Sequence, residues 1–181
     1  MFFGPKVLRP RENFVGLIMI KLTVDANILH SLLRPSESPH EDANRLWSLH
    51  KNGAVTITVT TRIDVDVPRD PLKSAMAALD LLRIPTIGRS DYSSYDGDHY
   101  ASEEELNLNN VLTKMLFPEK QNLTQNDIAD IDHLIGHRSS GNDHFITNDG
   151  RIVQRSNELK SDVGISVMSL DKFIRMYSSS T

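Results

Sequence analysis

The stretch Ile18-Met-Ile-Lys-Leu-Thr-Val-Asp-Ala-Asn-Ile-Leu29 predicts the first strand and the first helix of the fold. Even-numbered positions across 18–24 are all apolar and polar residues separate the later ones, which is the two-residue period of a β-strand. Asp25 stands at the carboxyl end of that strand, and residues 27–33 then have the spacing of a short helix. Ligands of open α/β sheets bind where the carboxyl ends of strands meet, so Asp25 is a candidate site residue.

A second informative segment runs from Asp130 to Asp149 and contains another apolar strand, residues 144–147, that leads into a carboxylate. A carboxylate at a buried strand end has lost hydration that it would keep in water, which favours its being held by a cation. Asp25 and Asp149 therefore point to a metal-carboxylate site.

The rest of the chain alternates strands with helices. Residues 54–60 and 164–168 have the composition and spacing of two more strands. One helix is predicted to begin at Pro71, to carry Leu82 on its apolar face and to be closed by Pro85. Other helices are predicted over residues 41–51, 103–116, 127–138, 151–159 and 170–177. This order of elements requires a largely parallel sheet with helices on both faces.

The 181 residues, of which 39% are hydrophobic, suit one domain of ordinary size with its own core. We expect residues 1–18 to be an extension without a functional role, residues 19–177 to form a single domain, and residues 178–181 to be a disordered tail. Residues 90–101 are rich in Ser, Tyr, Asp and Gly without periodicity, which predicts an irregular insertion.

The composition excludes several classes of protein. Cysteine is absent, so disulfides and thiolate zinc sites are impossible, which suits the reducing cytoplasm as the expected location. The apolar run over residues 14–20 is too short to span a bilayer and lacks a signal-peptide cleavage site, so no membrane partner is expected. A net charge of -4 argues against a general nucleic-acid binder. It does not exclude a nucleic-acid enzyme, because divalent cations reverse the sign of an acidic site.

Four acids occupy positions that a metal site would use: Asp25, Asp66, Asp130 and Asp149. Mg²⁺ and Mn²⁺ take oxygen ligands and keep several waters, so a few carboxylates and a substrate phosphate make a sufficient site. In such a site the cation activates water for attack on phosphorus and offsets charge on the leaving oxygen. Phosphodiester hydrolysis is therefore the natural chemistry.

Each acid also has a plainer interpretation. Asp25 could cap the helix that follows it, and Asp149 could serve only the Asn-Asp-Gly turn in which it lies. Asp66, which stands near Asp64, could simply face solvent. Asp127 has the spacing of a capping box with the threonine three residues before it and is expected to be structural.

His133 and His137 are four residues apart on a predicted helix and could together bind a transition metal. No third ligand has a matching spacing, so the pair is interpreted as packing or as support for the site. His133 is therefore given a supporting role at most.

Two motifs taken together resemble the PIN-domain ribonuclease family. The segment from Val24 to Leu29 is similar to the amino-terminal signature of that family, and the segment from Asp130 to Asp149 is similar to the carboxyl-terminal one. The resemblance covers residues 19–177, with specific motifs at both ends and a weak middle. It implies a PIN-like fold: an α/β structure organised as a three-layer α/β/α sandwich with a central, mostly parallel sheet of four to five strands.

The resemblance also implies a cluster of acids that binds Mg²⁺ or Mn²⁺ at the carboxyl ends of the strands. Asp25 matches the first family acid, Asp130 the third and Asp149 the fourth. Asn27 and Thr147 match the polar neighbours that accompany these acids. All four predicted acids, with Asp66 as the second, are assigned both as metal ligands and as catalytic residues.

The second acid departs from the family pattern. The family places a Glu on the helix after the second strand, where this chain has Asp66, with Asp64 as the runner-up. Asp is one methylene shorter than Glu, which puts its reach to the metal in question. Asp132 competes with Asp130, because a shorter loop before Thr147 would align it instead. Asp130 is preferred because it aligns more of the motif without a gap.

The leading hypothesis is a metal-dependent endoribonuclease that hydrolyses RNA, and the resemblance implies the toxin of a toxin-antitoxin pair. The expected partners are RNA, an antitoxin protein and a second copy of the chain. The alternative is a catalytically degenerate PIN-like module that binds RNA or protein, motivated by Asp66 at the Glu position. A third hypothesis is phosphotransfer through Asp25, as in haloacid-dehalogenase-like phosphatases. That family has a second Asp where Asn27 stands here, so this hypothesis ranks last.

Overall fold

A computed structural model describes residues 19–34, 40–66, 72–88 and 98–178. Its main sheet has five strands in the order β3-β2-β1-β6-β7, and all neighbouring strands are parallel. The remaining two strands, β4 and β5, form a separate parallel pair. The strands are β1 (Ile20–Val24), β2 (Val55–Thr60), β3 (Leu82–Ile84), β4 (Thr86–Ile87), β5 (Asp98–His99), β6 (His144–Ile146) and β7 (Val167–Met168).

Helices cover both faces of the main sheet. They are α1 (Ala26–Leu33), α2 (His40–Lys51), α3 (Ile63–Asp66), α4 (Leu72–Ala77), α5 (Glu103–Leu116), α6 (Gln125–Ser140), α7 (Gly150–Gln154), α8 (Ser156–Val163) and α9 (Leu170–Ser178). One apolar core joins the sheet to α1, α2, α4 and α9, and a second joins it to α5, α6, α7 and α8. The predicted α/β/α architecture with a parallel sheet is confirmed.

Because their sequences alternate, β1 and β2 each have one apolar face and one polar face. Leu22 and Val24 of β1 pack in the first core. Three of the threonines between the apolar residues, Thr23, Thr58 and Thr60, are buried as well, on the side of the sheet that α6 covers. His137 of α6 shares a hydrogen bond of 2.9 Å with Thr23 of β1, and His133 of α6 bonds to Thr60 of β2. Polar contacts therefore attach α6 to the centre of the sheet.

The helix that the sequence predicts from Pro71 to Pro85 is wrong in its second half. Helix α4 ends at Ala77, and Asp80 has a left-handed backbone with φ of 50°, which a helix cannot continue through. Leu82 then begins β3, which pairs with β2, and Pro85 separates β3 from β4. Pro71 lies outside the described residues. The tertiary pairing of this short strand overrides the helical spacing of its apolar residues.

Two further differences concern helix ends. The helix predicted over residues 151–159 is two helices, α7 and α8, which meet at Arg155, whose ψ of 10° is not helical. Ser178, expected in the tail, ends α9, and its hydroxyl donates to the carbonyl of Ile174 at 2.9 Å. Residues 1–18, residues 179–181 and most of the predicted insertion, namely residues 90–97, lie outside the described part of the chain. No helix in the described ranges is long and apolar enough to cross a bilayer.

Gly136 lets α6 approach the sheet closely, so Gly136→Ala is expected to destabilise the fold. A Cβ at this position would lie 2.9 Å from Thr60 Cγ2 and 3.4 Å from Thr86 Cγ2. Overpacking of this kind costs about 1–3 kcal/mol, which exceeds the gain of up to about 1 kcal/mol from replacing a helical glycine. We expect a net loss of about 1–2 kcal/mol in the free energy of unfolding, measured by urea denaturation.

Gly150→Ala is the matched control, because a Cβ at Gly150 would meet nothing within 4 Å. We expect this control to be as stable as the wild type or slightly more stable. If Gly136→Ala is as stable as the control, α6 does not approach β2 as closely as described.

Candidate active site

An open pocket of about 470 Å³ lies beside the carboxyl ends of β1 and β6. We call it the acidic pocket, since four of its lining residues are aspartates. Its lining also includes two basic side chains, two histidines and several polar groups. The residues are Asp25, Ala26, Asn27, His30, Lys120, Thr124, Asn126, Asp127, Ala129, Asp130, His133, Asp149 and Arg151. Three of the four predicted site acids, Asp25, Asp130 and Asp149, are therefore brought together.

Asp25 links the end of β1 to the start of α1. It occupies the N-cap position of α1, but its side chain makes no capping hydrogen bond. Instead, its Oδ2 accepts hydrogen bonds from Thr147 Oγ1 at 2.6 Å and from Asn27 Nδ2 at 2.7 Å. Its backbone N–H donates to the carbonyl of Ile146 at 3.0 Å, and only 6% of the residue is exposed. The carboxylate is thus fixed toward the end of β6 and is not used as a cap.

Asn27 and Thr147 connect the ends of β1 and β6. Asn27 Nδ2 donates to Thr147 Oγ1 at 3.0 Å, and the backbone N–H of Asn148 donates to Asn27 Oδ1 at 3.2 Å. Thr147 Oγ1 also accepts from the backbone N–H of Asp149 at 3.0 Å. Asn27 and Thr147, the polar neighbours identified from the sequence, therefore hold both Asp25 and Asp149 in place.

Asp149 has a structural role and also lines the pocket. It is the N-cap of α7, and its Oδ1 accepts from the backbone N–H groups of Arg151 at 2.8 Å and Ile152 at 3.3 Å. Both of these bonds use the same oxygen. Asp149 is therefore a helix cap and not part of a simple turn, and it is also among the residues that line the acidic pocket.

Asp130 lies in the second turn of α6, with 19% of its side chain exposed. Burial, followed by the negative charges of Asp25 and Asp149, raises the pKa of Asp130 to about 7, against the opposing effects of His133 and Arg151. Arg151 Nη1 lies 3.6 Å from Asp130 Oδ2. Asp25 and Asp149 are therefore close enough to Asp130 for their charges to disfavour its ionisation.

The competing acids lie elsewhere. Asp132 lies two residues after Asp130 on α6 and is buried in an ion pair with Arg62, whose Nη1 lies 3.9 Å from Asp132 Oδ2. Asp64 is exposed and accepts from Arg83 Nε at 3.1 Å. Asp66 ends α3, and its side chain lies outside what the structure describes. Of the alternatives weighed for the third acid, Asp130 is the one that lines the pocket.

The donor types in the pocket suit a hard divalent cation. Carboxylate oxygens are the preferred protein ligands of Mg²⁺ and Mn²⁺. A cation would also relieve the repulsion that raises the pKa of Asp130. In the described residues, no three acidic or imidazole groups are assembled with the spacing of a metal-ligand set. Because Mg²⁺ keeps several waters, the acids present fit such an ion in chemistry, as ligands that share it with solvent.

The histidines of α6 serve the packing of the helix. His133 and His137 each use Nδ1 for a threonine of the sheet, as described above. Burial lowers the pKa of His137 to about 4, with nearby positive charge acting in the same direction, so it is neutral at physiological pH. His30 of α1, which the sequence interpretation missed, lines the acidic pocket. Its Nε2 is buried without a hydrogen-bond partner in the described ranges.

Two basic residues of the pocket were also missed. Lys120 Nζ lies 2.6 Å from Asp127 Oδ2, and Arg151 Nη1 lies 3.3 Å from Asp127 Oδ1. The predicted capping box of Asp127 with Thr124 is present at the start of α6. Burial would raise the pKa of Asp127, but hydrogen bonds from Lys120 and Thr124 outweigh it and lower the pKa to about 2. Lys120 lies in the loop before α6 and Arg151 in the first turn of α7, so no sequence spacing links them.

Among solved structures, this chain is similar to the crystal structure of VapBC2 from Rickettsia felis bound to a DNA fragment from their promoter. The identity is 10%, the TM-score is 0.46, and the alignment covers 83% of this chain and 98% of that chain. No protein-family model matches the sequence, and no curated protein matches it. A likeness at this TM-score carries no argument, so the function proposed below rests on the residues of the acidic pocket.

Proposed function

We propose that this protein is a metal-dependent endoribonuclease that hydrolyses RNA phosphodiester bonds in the acidic pocket. The observation that supports the proposal is the convergence of Asp25, Asp130 and Asp149 on one pocket at the carboxyl ends of parallel strands. Burial and, after it, the charges of Asp25 and Asp149 raise the pKa of Asp130 to about 7, and pKa shifts of this kind are frequent at functional sites.

The roles of the chain's own residues follow from their contacts. Asp25, Asp130 and Asp149 would hold Mg²⁺ or Mn²⁺ through carboxylate oxygens, while Thr147 and Asn27 orient Asp25 by hydrogen bonds to its Oδ2. When bound, the cation would supply an activated water and offset charge on the leaving oxygen. Asp149 is additionally fixed by the first turn of α7. The site therefore rests on rigid element ends, which suits the positioning that phosphoryl chemistry requires.

Asp25→Asn is expected to lower metal-dependent cleavage by about a thousandfold, which corresponds to about 4 kcal/mol of transition-state stabilisation. The amide keeps the size of the side chain but removes the charge that would bind the cation. Cleavage of a labelled single-stranded RNA is measured with Mg²⁺, with Mn²⁺ and with EDTA. Asp162→Asn is the matched control, because Asp162 is an exposed acid of α8 that does not line the pocket.

Cleavage by Asp25→Asn at the wild-type rate, or cleavage that persists in EDTA, would contradict the assignment. Asp66→Asn and Asp64→Asn in the same assay decide which residue is the second acid. We expect Asp66→Asn to lower the rate and Asp64→Asn to leave it closer to that of the wild type, because Asp64 is paired with Arg83.

A catalytically degenerate module is the second candidate function. It is favoured by the lack of an assembled ligand set in the described residues and by Asp66 standing where the resemblance expects a Glu. Calorimetric titration with Mn²⁺ separates the two, because a degenerate site should bind the ion weakly or not at all. An antitoxin partner and a homodimer, which the family resemblance implies, stay predictions.

A further inference from the structure

Lys120 and Arg151 form a pair of cations held by a single carboxylate. Both ion-pair with Asp127, whose side chain is 4% exposed, whereas 41% of Lys120 and 44% of Arg151 remain exposed. Both also lie over the ring of Phe117, at 5.2 Å for Lys120 Nζ and 4.8 Å for the guanidinium carbon of Arg151. The buried acid and the ring thus hold the cation pair in place while its charged ends reach the acidic pocket.

Stability alone does not account for this arrangement. One cation is enough to neutralise Asp127, and half-exposed ion pairs contribute only about 0–1 kcal/mol. Lys120 already makes two short contacts with this carboxylate, at 2.6 and 2.8 Å. Arg151 is therefore the surplus cation, and it lies 3.6 Å from Asp130, on the side of the predicted catalytic acids.

We propose that Lys120 and Arg151 bind a backbone phosphate of the RNA strand next to the catalytic acids, with Asp127 and Phe117 as positioning residues. The RNA identity of the ligand rests on the proposed function; the phosphate chemistry rests on the cation pair. A guanidinium presents a planar fork of donors that matches phosphate oxygens, and an ammonium adds a compact positive charge. Such a site offsets the repulsion that the aspartates of the pocket exert on an RNA strand.

Direct contact between Arg151 and Asp130 places this phosphate site beside the predicted metal ligands. A cation held by the acids would weaken the attraction of Asp130 for Arg151, which would leave more of the guanidinium's charge for phosphate while Asp127 and Phe117 still hold it. Cation binding at the acids would then raise the affinity of the cation pair for RNA.

The test is binding of a short labelled RNA of mixed sequence, measured by fluorescence anisotropy at several salt concentrations. It is carried out with EDTA and, in the Asp149→Asn background, with Mg²⁺. Each phosphate contact on a single strand contributes about 0.7 to the slope of log affinity against log salt concentration. We expect Lys120→Gln combined with Arg151→Gln to weaken binding and to reduce that slope by about 0.7 for one shared phosphate.

Arg155→Gln is the matched control, because Arg155 is a half-exposed arginine nearby that pairs with Glu158 and does not line the pocket. It removes one positive charge, where the double variant removes two, and should leave the slope unchanged. No RNA binding by the wild type in EDTA and by Asp149→Asn in Mg²⁺, or equal slopes for the double variant and the control, would overturn the proposal. RNA binding in this test, together with no cleavage by the wild type in the assay with Mg²⁺ and Mn²⁺, would refute the nuclease function and leave the phosphate site standing. Cleavage in that assay with unchanged slopes would do the reverse.

Asp127→Asn separates positioning from simple charge. This change makes the pocket more positive, so a purely electrostatic role predicts tighter RNA binding. Loss of positioning predicts weaker binding, because Lys120 and Arg151 are no longer held by a buried carboxylate. Thermal melts verify that the variant is folded at the assay temperature, and tighter binding by the folded variant would overturn the role given to Asp127.

Discussion

Asp130→Asn is expected to lower RNA cleavage by about a thousandfold and, at the same time, to stabilise the metal-free protein above pH 7. The pKa of Asp130 is about 7 in the folded protein against 3.8 for an ordinary aspartate, mainly because of burial and then because of Asp25 and Asp149. The folded state therefore holds a proton that the unfolded chain has released between pH 4 and 7. The free energy of unfolding of the wild type must fall as the pH rises through this window.

The neutral amide removes that penalty, which is up to about 4 kcal/mol above the folded-state pKa. Urea denaturation in EDTA across this pH range measures it, and the two proteins should converge below pH 4. Mg²⁺ should stabilise the wild type above pH 7 and leave the variant nearly unchanged, because a ligand stabilises only the state that binds it. An advantage of the variant that is the same at every pH would contradict this account of the pocket.

Asp132→Asn, two residues further along α6, is expected to have the opposite effect on stability. Asp132 and Arg62 are both almost fully buried, with side-chain exposures of 0% and 3%. Removing one partner of a buried ion pair leaves an uncompensated charge in the interior, which costs about 3–5 kcal/mol. We expect a loss of this size in the free energy of unfolding by urea denaturation.

A paired replacement is the control for this prediction. Asp132→Leu combined with Arg62→Met removes both charges, and such apolar replacements of buried pairs are often neutral or stabilising. The double variant should therefore recover much of the stability that Asp132→Asn loses. If Asp132→Asn instead abolishes cleavage without destabilising the protein, the third acid is Asp132 and not Asp130.

The strands that the sequence predicts correctly are those with purely local signals. Alternation identifies β1 and β2, and the apolar run of β6 ends just before the segment that carries Asp149. Short β3 was missed because its three residues pair with β2 across a distant part of the chain. Pro85 was interpreted as the end of a helix, because proline breaks helices, but in the structure it separates two strands. The residue itself gives the same signal in both cases.

Sequence separation explains what was missed in the pocket. Lys120 and Arg151 are linked only through Asp127 and Phe117, contacts that arise when the loop before α6 meets the start of α7. Asp127 was identified as a capping residue, and its second role depends on those cations. The choice between Asp130 and Asp132 required the orientation of α6, because side chains two positions apart on a helix point in directions that differ by about 200°.

The hydrogen bonds between α6 and the threonines of the sheet set the alignment of one layer against the other. An apolar contact tolerates sliding, but a shift of one helical turn, about 5.4 Å, would leave buried imidazole and hydroxyl groups without partners. His133 and His137 therefore fix the position of α6 along the sheet. Grafting this pocket onto another scaffold would require transplanting Thr23 and Thr60 together with the acids, because the position of Asp130 is encoded in the core.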